Sequence, residues 1–371
     1  MRILHCADLH LDSVMNTHLT SEKAKERKAE LLGTFRNMIK YATLHDVFAI
    51  IIAGDLFDKK NISVTTKNAV LHEIINHPEI SFYYLRGNHD AVNFLDFYNE
   101  NDTIPDNLML FENDWKSYTV SEESGRKIIV TGLEFNFNNN DIYNSLTLRT
   151  EDFNIVVLHG QAAESASGEQ SEVISLKALK NKNIDYLALG HIHSYKEEKL
   201  DARGIYCYSG CLEGRGFDEC GEHGFVVLDI DVKNNTFKRE FISVAKRNTY
   251  SLEVDISGCI NSGEIADRIS EQLKEASYDS RHLIKIILKG EVDIECEISE
   301  DFLIKQFDND FYYVIIKDES RFAINYDDFL YDESLKGEFV RTVRADSALT
   351  DEEKATVIRY GILALKGEEI Q

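Results

Sequence analysis

Long apolar runs are missing from this sequence, and their absence argues against a membrane protein. No run approaches the roughly 20 apolar residues that a membrane-spanning helix needs. The first residues look like a strand followed by an early aspartate, not like a signal peptide. The sequence therefore predicts a cytoplasmic protein with no membrane partner.

Cysteine is scarce, with six residues in a chain of 371. Cysteines this sparse do not build the disulfide framework of a small secreted protein. Cys207, Cys211 and Cys220 lie near one another in sequence, but they lack the paired C-x-x-C spacing that is typical of a structural zinc site. We therefore expect free thiols.

Positive charge is scarce as well. The chain has 41 Lys and Arg against 65 Asp and Glu, which gives a formal net charge of −24. From residue 249 onward the balance is 14 basic against 28 acidic residues, and the part before it is also acidic. Proteins that bind nucleic acid usually use a basic surface to displace counterions from phosphates. If this protein acts on DNA, local basic patches or a partner must help it.

The pattern of apolar residues predicts an α/β fold in more than one domain. A chain of 371 residues exceeds the size at which one core keeps growing. Helical periodicity covers Ser21 to about His45, and the apolar run Val47–Ala53 suits a strand covered on both faces. Strands alternate with helices to about residue 246, which predicts a layered sheet core flanked by helices. A helix is also expected near 172–182.

The remainder of the chain has a different character. We expect a first domain over 1–246, which carries the polar segments described next, a smaller α/β cap domain over 250–330, and C-terminal helices over 331–371. The cap region has no cluster of His with Asp or Asn. The last helices belong to the cap core or dock a partner helix, and an amphipathic helix usually buries its own apolar stripe.

Potential metal ligands lie in five short segments, each directly after a predicted strand. The segments are ADLH with Asp8 and His10, GDLFD with Asp55, GNHD with Asn88, LHG with His159, and GHIH with His191 and His193. Ligands of open α/β sheets bind at the carboxyl ends of the strands. These seven side chains suffice for two metal ions if one carboxylate bridges them. Asp55 is the expected bridge, because a carboxylate has two oxygens whereas a neutral imidazole has one free nitrogen.

Two metal ions predict hydrolysis of a phosphate ester. Ions about 3.5–4 Å apart stabilise both the attacking and the leaving oxygen of an in-line displacement at phosphorus. His89 stands beside Asn88 and is not needed as a ligand. An imidazole there is suited to position the phosphate or to protonate the leaving oxygen. Asp58 or Asp90 is expected to orient His89.

The ordered set ADLH, GDLFD, GNHD, LHG and GHIH resembles the calcineurin-like metallophosphoesterases. Within that family, the opening MRILHCADLHLD, the segments AGDLFD and RGNHD, and YSGCLEGRGFDECGEHGF resemble the SbcD-type DNA repair exonuclease subunits. The resemblance extends over residues 1–245. Beyond them it is limited to the domain layout, in which a small α/β cap follows the phosphoesterase domain. This sequence differs from that subgroup at Asp58, where some relatives carry a His, and in its strong acidity.

The resemblance implies a site, a cofactor and partners. Asp8, His10, Asp55 and His193 would hold one divalent ion; Asp55, Asn88, His159 and His191 would hold the other; His89 would be the catalytic histidine. The family usually prefers Mn²⁺, although this ligand set is also compatible with Fe or Zn. The implied partners are single- or double-stranded DNA ends, an SbcC-like SMC-type ATPase and a second copy of the chain.

Three functions follow from these observations. The leading one is a manganese-dependent DNA exonuclease or endonuclease subunit that acts in DNA repair. The second is a phosphoesterase for a small nucleotide or another small phosphodiester, because the same metal pair hydrolyses many phosphate esters. The third is an inactive scaffold, which the complete set of ligands and His89 argues against. The Gly-rich stretch 210–224 lacks the Lys-Ser/Thr ending of a phosphate-binding P-loop and is expected to be a loop.

Overall fold

The computed structural model describes residues 1–15, 19–58, 62–90, 104–123, 125–134, 142–164, 173–294 and 296–366. These residues form a mixed α/β structure, so the predicted fold class is confirmed. The chain divides into two compact units, Met1–Asn248 and Thr249–Gln371.

The first unit contains fourteen strands and four helices in its described residues. The strands are β1 (Arg2–Cys6), β2 (Val47–Ala53), β3 (Ser81–Leu85), β4 (Leu108–Leu110), β5 (Lys116–Glu123), β6 (Arg126–Gly132), β7 (Phe153–His159), β8 (Gln161–Ala163), β9 (Val173–Ser175), β10 (Tyr186–Gly190), β11 (Lys196–Lys199), β12 (Ile205–Tyr208), β13 (Gly224–Asp231) and β14 (Thr236–Ser243). The helices are α1 (Ser21–Leu44), α2 (Val64–Asn76), α3 (Ile142–Ser145) and α4 (Leu176–Leu179).

Two six-stranded sheets form the centre of this unit. Their strand orders are β14-β13-β1-β2-β3-β4 and β11-β12-β10-β7-β6-β5. Residues such as Ile51 and Val157, one from each sheet, share one buried apolar cluster, so the sheets pack face to face. Helices α1 and α2 cover the outer face of the first sheet, and α3 and α4 cover that of the second.

Local sequence explains where the long helices begin. The Thr20 hydroxyl accepts a hydrogen bond from the Lys23 backbone N–H at the start of α1, and Ser63 caps α2 through the N–H of Thr66. Strand β2 is buried at six of its seven residues because it lies in the middle of its sheet with a layer on each side.

This layering determines the position of the polar segments. Strands β1, β2 and β3 run parallel in the first sheet, and β7 and β10 run parallel in the second. The carboxyl ends of the two sheets meet, because the His159 ring at the end of β7 contacts the carbonyl of Ala53 at the end of β2. All five segments with potential ligands follow these five strands.

The second unit is a smaller α/β structure. Its elements are β15 (Thr249–Asp255), α5 (Ser262–Ala276), β16 (Leu283–Lys289), β17 (Glu291–Asp293), α6 (Glu300–Phe307), β18 (Tyr313–Asp318), β19 (Arg321–Ala323), a 3-10 turn (Tyr326–Phe329), α7 (Leu335–Ala345) and α8 (Asp351–Lys366). Strands β15, β16 and β18 form a parallel sheet against α5 and α6. Helices α7 and α8 bury Val340, Val343, Ile358 and Ile362 together.

Three features of the described residues test the remaining expectations. The helix expected near 172–182 is wrong: Val173–Ser175 is a strand, and only Leu176–Leu179 is helical, because Ser175 starts the helix and Lys180 already leaves it. The six cysteines form no disulfide. None of the described helices is long and apolar enough to cross a bilayer.

Candidate metal centre

The polar segments come together in the first unit. Three groups of side chains each bring potential ligand atoms within 4.8 Å of one another: Asp8, His10 and His193; Asp8, Asp55 and His159; and His10, Asp58 and His89. Asp8 and His10 each belong to two of these groups, so the three groups form one continuous cluster. Two sheets and five separate stretches of sequence contribute to it.

The rings of His10 and His193 are oriented with their Nε2 atoms towards each other, 3.1 Å apart. The opposite nitrogen of His193, Nδ1, donates to Glu219 Oε1 at 2.6 Å. Nδ1 of His10 lies 3.1 Å from Asp58 Oδ1. If both Nδ1 atoms carry the proton, two Nε2 lone pairs face each other, which is favourable only with a cation between them.

The side chains around His159 form a second part of the cluster. Here too, one ring nitrogen contacts an oxygen and the other is turned to potential ligands. His159 Nδ1 donates to the Ala53 carbonyl at 2.9 Å. Its Nε2 lies 2.9 Å from Asn88 Oδ1 and 3.4 Å from Asp55 Oδ2. An imidazole nitrogen, an amide oxygen and a carboxylate oxygen therefore face one another. Holding one ring nitrogen by an oxygen so that the other is free is characteristic of metal-binding histidines.

The charges of this cluster favour a cation. Asp8 is fully buried, and this burial raises the pKa of its carboxyl despite the neighbouring histidines. Burial also acts to raise the pKa of Asp55, but the hydrogen bond and charge of His159 lower it to about 2. Burial acts to lower the pKa of His159, and Asp55 and Asp8 instead raise it to about 9. Two buried carboxylates thus draw positive charge towards themselves, as a divalent ion would supply.

The backbone around the cluster is strained. Asp8, His10, Asp55 and His191 have positive φ angles of 53°, 44°, 51° and 100°. Such conformations cost free energy in residues other than glycine and are concentrated at functional sites. Gly54, just before Asp55, has a φ of +98°, and a Cβ there would lie 2.1 Å from the His159 ring. This explains why glycine precedes the aspartate in GDLFD.

His191 contributes to the cluster through its backbone and its ring. Its N–H donates to both carboxylate oxygens of Asp8, at 2.9 and 3.0 Å. Its ring meets that of His159 edge to face, with centroids 5.5 Å apart. The structure thus brings all seven predicted ligands to one place.

Asn88 and His89 form the open side of the centre. Both are exposed, whereas Asp8, His10 and Asp55 are buried. The His89 backbone N–H donates to Asp55 Oδ1 at 2.9 Å, and its ring packs edge to face on His10. A group carried by a ligand in solution could reach His89.

The two aspartates considered as orienting groups for His89 have different surroundings. Asp58 Oδ1 lies 3.4 Å from His89 Nδ1. The Asp90 carboxylate accepts hydrogen bonds from the backbone N–H groups of Leu56, Phe57 and Gly87. Asp90 therefore joins the two loops that carry Asp55 and Asn88, and Asp58 is the carboxylate beside the His89 ring.

Sequence reasoning missed two residues of this centre, Arg215 and Glu219. Glu219 holds His193, and Arg215 contacts both Glu219 and Asp58. Both lie in the loop between β12 and β13, 22 and 26 residues after His193. A contact over that separation leaves no periodic signal, and the Gly-rich stretch 210–224 predicts only a loop.

Comparison with known proteins identifies the family of the chain. The model of the calcineurin-like phosphoesterase family matches residues 1–195, more than half of the chain. The match contains all seven potential ligands and His89. Members of this family use divalent metal ions.

Individual relatives are more distant. The chain is 28% identical over 303 residues to the uncharacterized metallophosphoesterase YhaO of Bacillus subtilis strain 168, covering 78% of this chain and 72% of that protein. It is 24% identical over 321 residues to the DNA double-strand break repair protein Mre11 of Aeropyrum pernix, covering 79% of this chain and 74% of that protein. The Mre11 protein of Saccharolobus solfataricus is 25% identical over 350 residues, covering 86% and 83%.

Proposed function

The chain belongs to the calcineurin-like phosphoesterase family, and we propose that it is a metal-dependent nuclease that hydrolyses phosphodiester bonds of DNA. One observation carries the proposal: imidazole nitrogens and carboxylate oxygens from five strand ends converge to within 4.8 Å of one another in three overlapping groups. The similarity to Mre11, which is a DNA double-strand break repair protein, supports DNA as the substrate.

The donor set fits two divalent ions, and Mn²⁺ is the proposed metal. Asp8, His10, Asp55 and His193 would hold one, and Asp55, Asn88, His159 and His191 the other. When bound, such a pair stabilises the attacking and leaving oxygens of an in-line displacement at phosphorus. The protein supplies the rest: the Ala53 carbonyl and the Glu219 carboxylate hold Nδ1 of His159 and His193, and Asp58 Oδ1 lies 3.1 Å from Nδ1 of His10, so that Nε2 of each ring is turned to the cluster.

His89 is the proposed proton donor to the leaving oxygen. Its ring is exposed, lies beside the cluster and has Asp58 Oδ1 3.4 Å from Nδ1. With Nδ1 turned to that carboxylate, Nε2 is left for the substrate. Proton transfer by a positioned side chain contributes about 10²- to 10⁴-fold to a rate.

The net charge of −24 favours a second candidate, a phosphoesterase for a small nucleotide or another small phosphodiester. A small dianion or monoanion enters one cleft, whereas a long DNA molecule meets the whole acidic surface. If the protein is a nuclease, local basic patches or a partner of the SbcC-like ATPase class must help this acidic chain to bind DNA. A second copy of the chain would not supply a basic surface, because it is equally acidic.

The experiment compares substrates and metals directly. Purified full-length protein is incubated with linear single-stranded DNA, linear double-stranded DNA and bis(p-nitrophenyl) phosphate, each with Mn²⁺ or Mg²⁺. The variants are His89→Ala and Asn88→Ala. His72→Ala is the matched control, because His72 is an exposed histidine on α2 that has no place in the cluster.

DNA cleavage in Mn²⁺ that is lost in His89→Ala and Asn88→Ala, and kept in His72→Ala, supports the nuclease. Cleavage of the small ester alone establishes the second candidate. Binding of Mn²⁺ without turnover of any substrate, alone or with the ATPase partner added, would mean that the chain is a scaffold.

A further inference from the structure

The positively charged side chain of Arg215 lies between two carboxylates at the metal centre, those of Asp58 and Glu219. Its Nη1 lies 3.1 Å from Asp58 Oδ1. Its Nε and Nη2 lie 3.2 and 3.0 Å from Glu219 Oε1. The side chain is largely buried, with 22% of its surface exposed. One planar guanidinium group therefore joins a residue that follows β2 to a residue that precedes β13.

Each of these carboxylates in turn holds imidazoles. Glu219 Oε1 accepts from His193 Nδ1 at 2.6 Å. Asp58 Oδ1 lies 3.1 Å from His10 Nδ1 and 3.4 Å from His89 Nδ1. Arg215 Nη2 also lies 3.3 Å from His193 Nδ1 itself. Arg215 thus touches one proposed metal ligand and is a single carboxylate away from another, His10, and from the proposed proton donor, His89.

We propose that Arg215 is a positioning residue of the metal centre, which fixes Asp58 and Glu219 and through them the rings of His10, His193 and His89. This inference rests on the proposed function, because it assigns a task to Arg215 in that same site. Groups that hold metal-binding histidines typically change metal affinity or activity by about 10- to 100-fold when they are removed.

The shape of the guanidinium group matters as well as its charge. Three of its nitrogens contact two carboxylates that come from different loops. A lysine ammonium group is a point charge on a flexible stem and does not reproduce this fork. Arg215→Lys should therefore lose most of the effect although it keeps the charge.

The loop that carries Arg215 also has contacts that do not involve the guanidinium group. The Arg215 backbone N–H donates to Glu219 Oε2 at 2.7 Å. Two residues earlier, the Glu213 carboxylate accepts from the backbone N–H groups of Lys246 and Arg247 at 2.8 and 3.0 Å. Variants at Arg215 are therefore expected to fold.

Arg215 could act by positioning the imidazoles or only by its charge. The two roles predict opposite changes in Mn²⁺ affinity when the guanidinium group is removed. A guanidinium group near the cluster repels a divalent cation, so its removal would strengthen Mn²⁺ binding if charge were its only effect. If Arg215 holds the imidazoles in place, its removal weakens Mn²⁺ binding. The direction of the change separates the two.

The test uses the full chain and two arginines. Arg215→Met and Arg215→Lys are compared with Arg203→Met and Arg203→Lys. Arg203 has the same 22% exposure and pairs with a buried aspartate, Asp185, but it lies at the opposite end of β10 from the metal centre. Calorimetry measures the Mn²⁺ dissociation constant, and thermal unfolding without metal shows whether each variant is folded. The values of kcat and KM are measured on bis(p-nitrophenyl) phosphate.

The proposal predicts that both Arg215 variants bind Mn²⁺ at least 10-fold more weakly and lose kcat, with the fold retained, while the Arg203 variants keep the wild-type affinity. Unchanged or tighter Mn²⁺ binding by Arg215→Met would overturn it, as would full function in Arg215→Lys. A rise in KM alone would overturn it in favour of direct contact with the substrate. If wild-type protein binds no Mn²⁺, the proposed function fails first.

Discussion

At the scale of single residues, the centre depends on very close contacts between backbone and rings. Gly190, the last residue of β10, has no room for a side chain: a Cβ there would lie 2.0 Å from the Ala53 carbonyl and 2.7 Å from His159 Nδ1. The absence of a side chain lets the two sheets approach at the point where His159 is held.

We therefore predict that Gly190→Ala lowers the free energy of unfolding by about 1–3 kcal/mol, as overpacking does, and abolishes Mn²⁺ binding by displacing His159. Gly33→Ala in α1 is the control, because a Cβ at Gly33 meets nothing within 4 Å. It should stabilise the protein by about 0.5–1 kcal/mol. Urea titrations of both variants measure this, and equal stabilities would contradict the prediction.

A second residue-scale feature is the buried ion network around Arg27. The Arg27 side chain is 1% exposed and contacts the carboxylates of Glu30 and Glu213. Arg27→Met leaves these buried charges short of a partner, so we expect a loss of about 3–5 kcal/mol. Arg36→Met on the same helix is the control. Arg36 pairs with Glu73 while 51% exposed, and its removal should cost at most about 1 kcal/mol.

The same network makes the free energy of unfolding depend on pH. Burial acts to raise the pKa of Glu30, but Lys246 and Arg27 lower it below its ordinary value of 4.5. A carboxyl whose pKa is lower in the folded state stabilises the fold above its unfolded pKa, and this stabilisation is lost as the pH falls through the folded pKa. The free energy of unfolding should therefore decrease below about pH 4.5, less steeply in Arg27→Met. If the free energy of unfolding falls equally with pH in the wild type and in Arg27→Met, this role of Arg27 is refuted.

At the scale of elements, α5 offers a separate test in the second unit. The Asn261 side chain accepts from the backbone N–H groups of Gly263 and Glu264 at 2.9 and 3.0 Å. Asn261→Ala should destabilise this unit by about 1 kcal/mol, whereas Asn261→Asp should preserve the cap. Thermal unfolding followed by circular dichroism measures both. A stable alanine variant would show that water replaces the cap.

The strands that sequence patterns predict are the ones buried in the sheet interiors. The apolar run Val47–Ala53 predicts β2 with its bounds, and β7 and β10 are the strands expected before the segments LHG and GHIH. Strands β5, β11 and β14 were not predicted. Each lies at the edge of its sheet, and sequences such as KEEK in β11 take the extended form through pairing with a neighbour rather than through their own pattern.

The site was predictable to the same extent. Asp8, Asp55, Asn88 and His191 follow strands and His159 ends one, and the order of their motifs predicts them as ligands. Glu219 and Arg215 come from a loop without regular structure, and only the folded chain brings them to His193. The groups that orient the rings could not be predicted because they depend on tertiary contacts.

At the scale of the whole molecule, the net charge of −24 governs the approach of substrates. Salt screens the repulsion between an acidic protein and DNA. Without a partner, the rate of DNA cleavage at limiting DNA concentration should therefore rise as salt is added from low ionic strength. A basic nuclease shows the opposite trend, since salt weakens its phosphate contacts. A rate that falls steeply from the first addition of salt would point to a strong local basic patch.

The central claim is that the side chains at five strand ends bind two divalent ions in one pocket. Anomalous X-ray scattering from crystals soaked in Mn²⁺ tests it most directly. The account predicts two peaks about 3.5–4 Å apart, one beside His10 and His193 and the other beside Asn88 and His159, with Asp55 between them. No peak, a single peak, or peaks away from these residues would contradict it.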